Sequence, residues 1–143
     1  MKTILILILV GAGYISVKAQ IKKEYINPCA GYTNTVSVIS GKIKTIYISG
    51  QVGEGKDLEA QIRSSFQNLK KQLEDAGAQF SDVVKMHTYI VRYKESDLDI
   101  FRNVRREILG EKDMPTNTLV GVYSLFKDEY LVEMEAVAVI EAK

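Results

Sequence analysis

Few residues in this chain are equipped for chemistry, and their spacing narrows what that chemistry is. The strongest candidates are two carboxylates, Glu133 and Glu135, in Val132-Glu133-Met134-Glu135-Ala136. In an extended strand this alternation sends both to one face, beside Leu131, Val137 and Val139. Such apolar company keeps at least one of them from full exposure and marks Glu133 as a pocket residue. The chain has one histidine and one cysteine, which excludes cysteine-cluster and histidine-rich metal motifs. His87 stands mid-strand between Met86 and Thr88 and reads as a packed or surface side chain. Cys29 follows Pro28 in a loop with no histidine paired to it, so it is not assigned as a nucleophile. Arg102, Arg105 and Arg106 fall at helical spacing, where an anion could lodge, although a solvated helix face is the stronger reading.

These residues must be positioned by regular elements. Residues 35–39 alternate hydroxyl and branched side chains, Ser40-Gly41-Lys42 is a turn signal, and residues 43–49 alternate again. The pattern predicts a β-hairpin, followed by a glycine-rich loop over 50–55. Asp57 is placed to cap a helix whose apolar stripe is Leu58, Ile62, Phe66, Leu69 and Leu73, with Gly77 as its stop. Residues 83–93 read as a strand. Asp97 is read as the cap of a second helix with the stripe Leu98, Phe101, Val104 and Ile108. Strands over 118–126 and 130–140 complete the order β-β-α-β-α-β-β. This is an α+β sandwich, with two helices packed on one face of a mixed, mostly antiparallel sheet. Both faces of the last strand are largely apolar while helices can cover only one, which predicts a homo-oligomer that closes its sheets together.

The chain has 143 residues, 46% hydrophobic and 26% charged, enough for one domain with its own core. Lys+Arg 19 against Asp+Glu 18 leaves a net charge of +1, without the basic excess that nucleic-acid binding needs. A short basic start, an apolar run over residues 4–10 and Val17-Lys18-Ala19 have the layout of a signal peptide cleaved after Ala19. The apolar stretch is shorter than the roughly 18–20 residues of a spanning helix. The expectation is therefore an exported protein, periplasmic or secreted, with a signal peptide over 1–19, one domain over 20–143, and no stable membrane anchor after cleavage. Without Lys2 and Lys18 it carries 17 basic and 18 acidic residues, net −1.

Several segments, taken in order, resemble the Rid family (reactive intermediate deaminase, also called YjgF or endoribonuclease L-PSP). They include Asn27-Pro28 with Gly31-Tyr32, Ser49-Gly50-Gln51, Asp82-Val83-Val84-Lys85, Pro115-Thr116-Asn117-Thr118 and Val132-Glu133-Met134-Glu135-Ala136. The resemblance covers residues 25–140. It implies a chorismate-mutase-like fold and a homotrimer with a small-molecule cleft at each subunit interface. It also implies hydrolysis of enamine or imine intermediates to a carbonyl compound and ammonia, with no metal and no organic cofactor. Carried over by residue, the resemblance makes Tyr32, Ser49, Gly50, Asn103 and Asn117 substrate-binding. It makes Glu133 the catalytic residue that positions the attacking water, a role that suits a base.

One departure bears on the substrate. Family members that deaminate 2-imino acids carry arginine in a P-x-R-[ST] motif, gripping the substrate carboxylate with a planar fork. Asn117 stands there instead. The lost contact is worth roughly 1.5–3 kcal/mol, or about one to two decades of affinity. Arg102, Arg105 or Arg106 are the candidates to replace it. The leading expectation is a trimer that binds a neutral or weakly anionic metabolite and hydrolyses a C–N bond. The alternative is a non-catalytic ligand-binding or chaperone-like trimer, and ribonuclease activity is the least favoured reading.

Overall fold

The two-residue alternation of the strand segments produces a single sheet, and its register decides which side chains share a face. A computed structural model describes residues 20–143; the signal peptide expected over 1–19 lies outside the described residues. The strands are β1 (Ile21–Pro28), β2 (Thr33–Ser40), β3 (Ile43–Val52), β4 (Val83–Val91), β5 (Thr116–Val122) and β6 (Val132–Glu141). The helices are α1 (Leu58–Asp75) and α2 (Glu95–Leu109), with a short 3-10 turn at Phe80–Asp82. The six strands lie in the order β1-β2-β3-β6-β4-β5. All neighbours are antiparallel except β4 and β5, whose parallel pairing requires the crossover that α2 supplies. The α+β architecture is the expected one. Among the described residues no helix is long and apolar enough to cross a membrane.

One strand exceeds the expected order. β1 is an edge strand, and Ile21, Lys22, Lys23 and Tyr25 on it are all exposed. Neither face shows the apolar alternation that marks a half-buried strand. Two further expectations change. Residues 50–52 are not loop but a continuation of β3 past a bulge, because the register to β6 shifts between Ile48 and Gln51. Asp97 does not stand at the N-cap of α2. Lys94 does, and the Asp97 side chain reaches back to accept its backbone N–H at 2.7 Å.

The core lies between the helices and one sheet face. α1 buries Ile62, Phe66, Leu69 and Leu73, and α2 buries Phe101 and Val104, against Ile46, Ile48, Met86, Ile90, Val132, Met134 and Ala138. Asp57 caps α1 by accepting the Ala60 N–H at 2.9 Å, and Gly77 turns the chain with φ +82°. Among the described residues no helix covers the opposite sheet face. Register places Tyr25, Val36, Tyr47, Val137 and Lys85 in one row across it. Tyr25 is 64% exposed and Tyr47 50%, large apolar surfaces left facing water in a lone chain.

Candidate active site

The bulge in β3 brings the candidate residues together. Where Ile48 pairs with Ala136 and Gln51 with Met134, Ser49 and Gly50 together stand opposite the single residue Glu135. Hydrogen bonds from α1 hold the segment beyond the bulge: Ser65 Oγ donates to the Gln51 carbonyl, and Asn68 Nδ2 donates to that of Val52 at 2.8 Å. Val52 in turn pairs with Glu133, so the helix fixes the strand against which Glu133 stands.

Glu133 lies on the uncovered face and folds its side chain over Gly50. A Cβ on Gly50 would sit 2.6 Å from Glu133 Cδ and 2.9 Å from Cγ, and would collide with Oε1. Glycine is therefore needed here for space. Among the described residues the carboxylate accepts no side-chain hydrogen bond. Its half-burial, and then the charge of Glu135 two residues along, push its pKa above the usual carboxylate value. A carboxylate of this kind is a stronger base than a solvated one once ionised.

β4 contributes the facing row. His87 pairs across the ladder with Glu135, and Tyr89 with Glu133. His87 Nδ1 and Glu135 Oε1 are 2.6 Å apart, a contact that orients the imidazole. Burial, followed by the charges of Glu135 and Glu133, raises the pKa of the Tyr89 hydroxyl above its ordinary value. Ser49, Tyr47, Lys85, His87 and Glu135 line a groove of about 440 Å³ on this face. His87 and Tyr89 were not among the expected site residues. Their signal was parity, because residues 85, 87 and 89 alternate with the buried Met86, Thr88 and Ile90.

Ser49, Gly50 and Glu133 are thus together. Tyr32 is exposed in the β1–β2 turn, and its carbonyl accepts the Cys29 N–H at 2.8 Å. Asn103 is exposed on α2. Asn117 pairs in register with the buried Met86, so it lies on the helix side of the sheet, and its Oδ1 accepts a long 3.4 Å bond from Thr88 Oγ1. Within one chain Asn117 and Glu133 occupy opposite faces. The three arginines do not join Glu133 either. They line a separate cleft with Gly110, Glu111 and Met114. Among the described residues no group of three or more His, Cys, Asp or Glu side chains is placed to hold a metal ion.

A mixed sheet with both helices on one side and a shielded carboxylate over a glycine bulge on the other defines a small α+β protein of chorismate-mutase-like fold. The chain belongs to the endoribonuclease L-PSP family, the YjgF or Rid proteins, whose family model matches residues 22–140. It is 30% identical to a 2-iminobutanoate/2-iminopropanoate deaminase of Dermatophagoides farinae, over 80% of this chain and 89% of that one. It is 34% identical to a RutC family protein of Pyrococcus abyssi, over 78% of this chain and 87% of that one. Among solved structures, a YjgF/YER057c/UK114 family member from Mycobacterium tuberculosis superposes with a TM-score of 0.70 at 26% identity. That match covers 83% of this chain and all of that one.

Proposed function

We propose that this protein is an exported homotrimeric hydrolase that converts a neutral or weakly anionic imine or enamine to a carbonyl compound and ammonia. The observation that carries this reading is the Glu133 carboxylate, seated over Gly50 and made more basic by burial and by Glu135. Similarity to a protein named as an iminobutanoate and iminopropanoate deaminase supports the reaction class. Asn117 in place of a charged clamp supports the restriction on charge.

The chemistry follows from a half-buried base, Glu133, two residues along the strand from Glu135, which lines the groove. Ionised Glu133 accepts a proton from water as the water oxygen bonds to the imine carbon and the C=N π electrons move onto nitrogen. Nitrogen then takes up two protons from the water-derived and hydroxyl positions through Glu133. The C–N bond breaks, ammonia leaves, and the carbonyl forms. Water is the only co-reactant this balance needs.

Assembly is part of the proposal. Ser49, Gly50 and Glu133 lie on the uncovered face, and Asn117 on the other. A cleft holding both halves forms where the uncovered face of one copy meets a second copy. The exposed Tyr25, Ile43, Tyr47 and Val139 give that face an apolar surface to bury. Export rests on the layout of residues 1–19.

Ammonia release is the test, with a neutral ketimine and with enzymatically generated 2-aminoacrylate as substrates. Wild type is expected to exceed spontaneous hydrolysis of the neutral imine, and Glu133→Ala to abolish that excess. Asn117→Arg is expected to shift preference toward the anionic substrate by roughly one to two decades. Wild-type rates equal to the spontaneous ones on both substrates would overturn the hydrolase reading and leave a non-catalytic ligand-binding trimer.

A further inference from the structure

The three arginines of α2 are not used by the proposed reaction; Arg102 and Arg106 are exposed, but Arg105 between them is not an ordinary solvated side chain. Arg102, Arg105 and Arg106 line a cleft of about 380 Å³ closed by Gly110, Glu111 and Met114. Arg105 is the central residue. Its guanidinium lies 5.5 Å from the centre of the Phe101 ring, so the apolar side of the helix has drawn it partly out of water. Stacking of this kind uses the face of the guanidinium and leaves its in-plane N–H donors unspent. Arg105 Nε is shut off from solvent and has no hydrogen-bond partner among the described residues. Desolvation, and then the neighbouring charges of Arg102 and Arg106, disfavour its protonated form.

Among the described residues only one carboxylate reaches this cluster. Glu111 Oε1 lies 2.9 Å from Arg106 Nε, which leaves the outer nitrogens of Arg106 free of that contact. The cleft lining therefore holds three guanidinium groups against one carboxylate. A partly buried, unpaired cation is costly, and the neighbouring charges raise the cost. A dianion with several acceptor oxygens would relieve it, accepting from the guanidinium donors and neutralising the excess.

We propose that this cleft binds a phosphate-class dianion, either free inorganic phosphate or the phosphate group of a small phosphomonoester. The site does not depend on the hydrolase reading, because no residue of the Glu133 face lines it.

Thermal melting at constant ionic strength tests it, with inorganic phosphate and glycerol 3-phosphate titrated separately against chloride. Stabilisation is expected to set in near the dissociation constant and to grow with the logarithm of ligand concentration beyond it, with a rise of roughly 3–6 °C at about tenfold that constant. Arg102→Gln combined with Arg106→Gln alters exposed residues only, so the fold is retained, and affinity should fall at least tenfold. Glu111→Gln removes the competing carboxylate and should tighten phosphate several-fold. Equal fitted dissociation constants for the two ligands identify free phosphate as sufficient, whereas a clearly tighter glycerol 3-phosphate identifies a phosphomonoester. Stabilisation no greater than chloride gives at equal ionic strength, or that is unchanged in the double variant, would overturn the proposal.

Discussion

Replacing Gly50 with alanine separates the chemistry of this protein from its folding. The added Cβ would stand 2.6 Å from Glu133 Cδ and 2.9 Å from Cγ. Carbon atoms in contact prefer about 3.5–4.0 Å, so the carboxylate must retreat by roughly 1 Å. It is the far end of a flexible side chain, and rotation off its rotamer costs of order 0.5–1.5 kcal/mol. The strand itself accepts alanine. Gly50→Ala is therefore expected to fold with a small loss of stability, while a 1 Å misplacement of the base lowers turnover by about 100-fold. Gly53→Ala provides the contrast. Its Cβ would lie 2.7 Å from the Ser65 backbone nitrogen and 2.8 Å from the Gln61 carbonyl carbon, both in the backbone of α1, which cannot rotate aside. That variant should lose roughly 1–3 kcal/mol or more, about 3–5 °C of melting temperature per kcal/mol, yet keep its activity per folded molecule. Ammonia-release kinetics and thermal melting on both variants decide the matter. A Gly50→Ala protein with wild-type turnover, or one whose activity falls only in step with its folded fraction, would refute the reasoning.

Other outcomes follow from the same geometry. Because burial raises the Glu133 pKa in the folded state, the folded chain holds the proton more tightly than the unfolded chain does. The associated stability is complete below the ordinary carboxylate pKa and is lost as pH rises through the folded value. Glu133→Gln should thus melt higher than wild type at about pH 8 and lose that advantage at about pH 4; melting curves showing the reverse order would contradict the assignment. Sedimentation equilibrium of the chain beginning at residue 20 should return three times the monomer mass. A monomer would remove the cleft between copies.

Much of the fold was legible from the sequence because burial wrote it there. The stripe Ile62, Phe66, Leu69 and Leu73 is buried as expected, and of the two apolar faces of β6 the one with Val132, Met134, Ala136 and Ala138 meets the helices. β1 was illegible because this edge strand buries only Ile26 in part against the core and leaves Ile21, Lys22, Lys23 and Tyr25 exposed, too little for a periodic signal. At the candidate site, apolar company in the sequence singles out Glu133, and the structure half-buries its side chain. His87 was set aside because its partner Glu135 is 48 residues away, and only the β4–β6 register brings them to 2.6 Å. The separation of Asn117 from Glu133 is likewise a matter of sheet parity across β4, which no local pattern around residue 117 encodes.

The central claim is that Glu133 acts as the base and that Glu135 and burial set its strength. The most direct test is the pH dependence of kcat/KM on the neutral imine, in wild type and in Glu135→Gln. A base works only when ionised, so activity should fall toward acid with an apparent pKa above the ordinary carboxylate range. Removing the Glu135 charge should move that limb to lower pH. An acid limb that stays in place in Glu135→Gln, or that is absent altogether, would contradict the account.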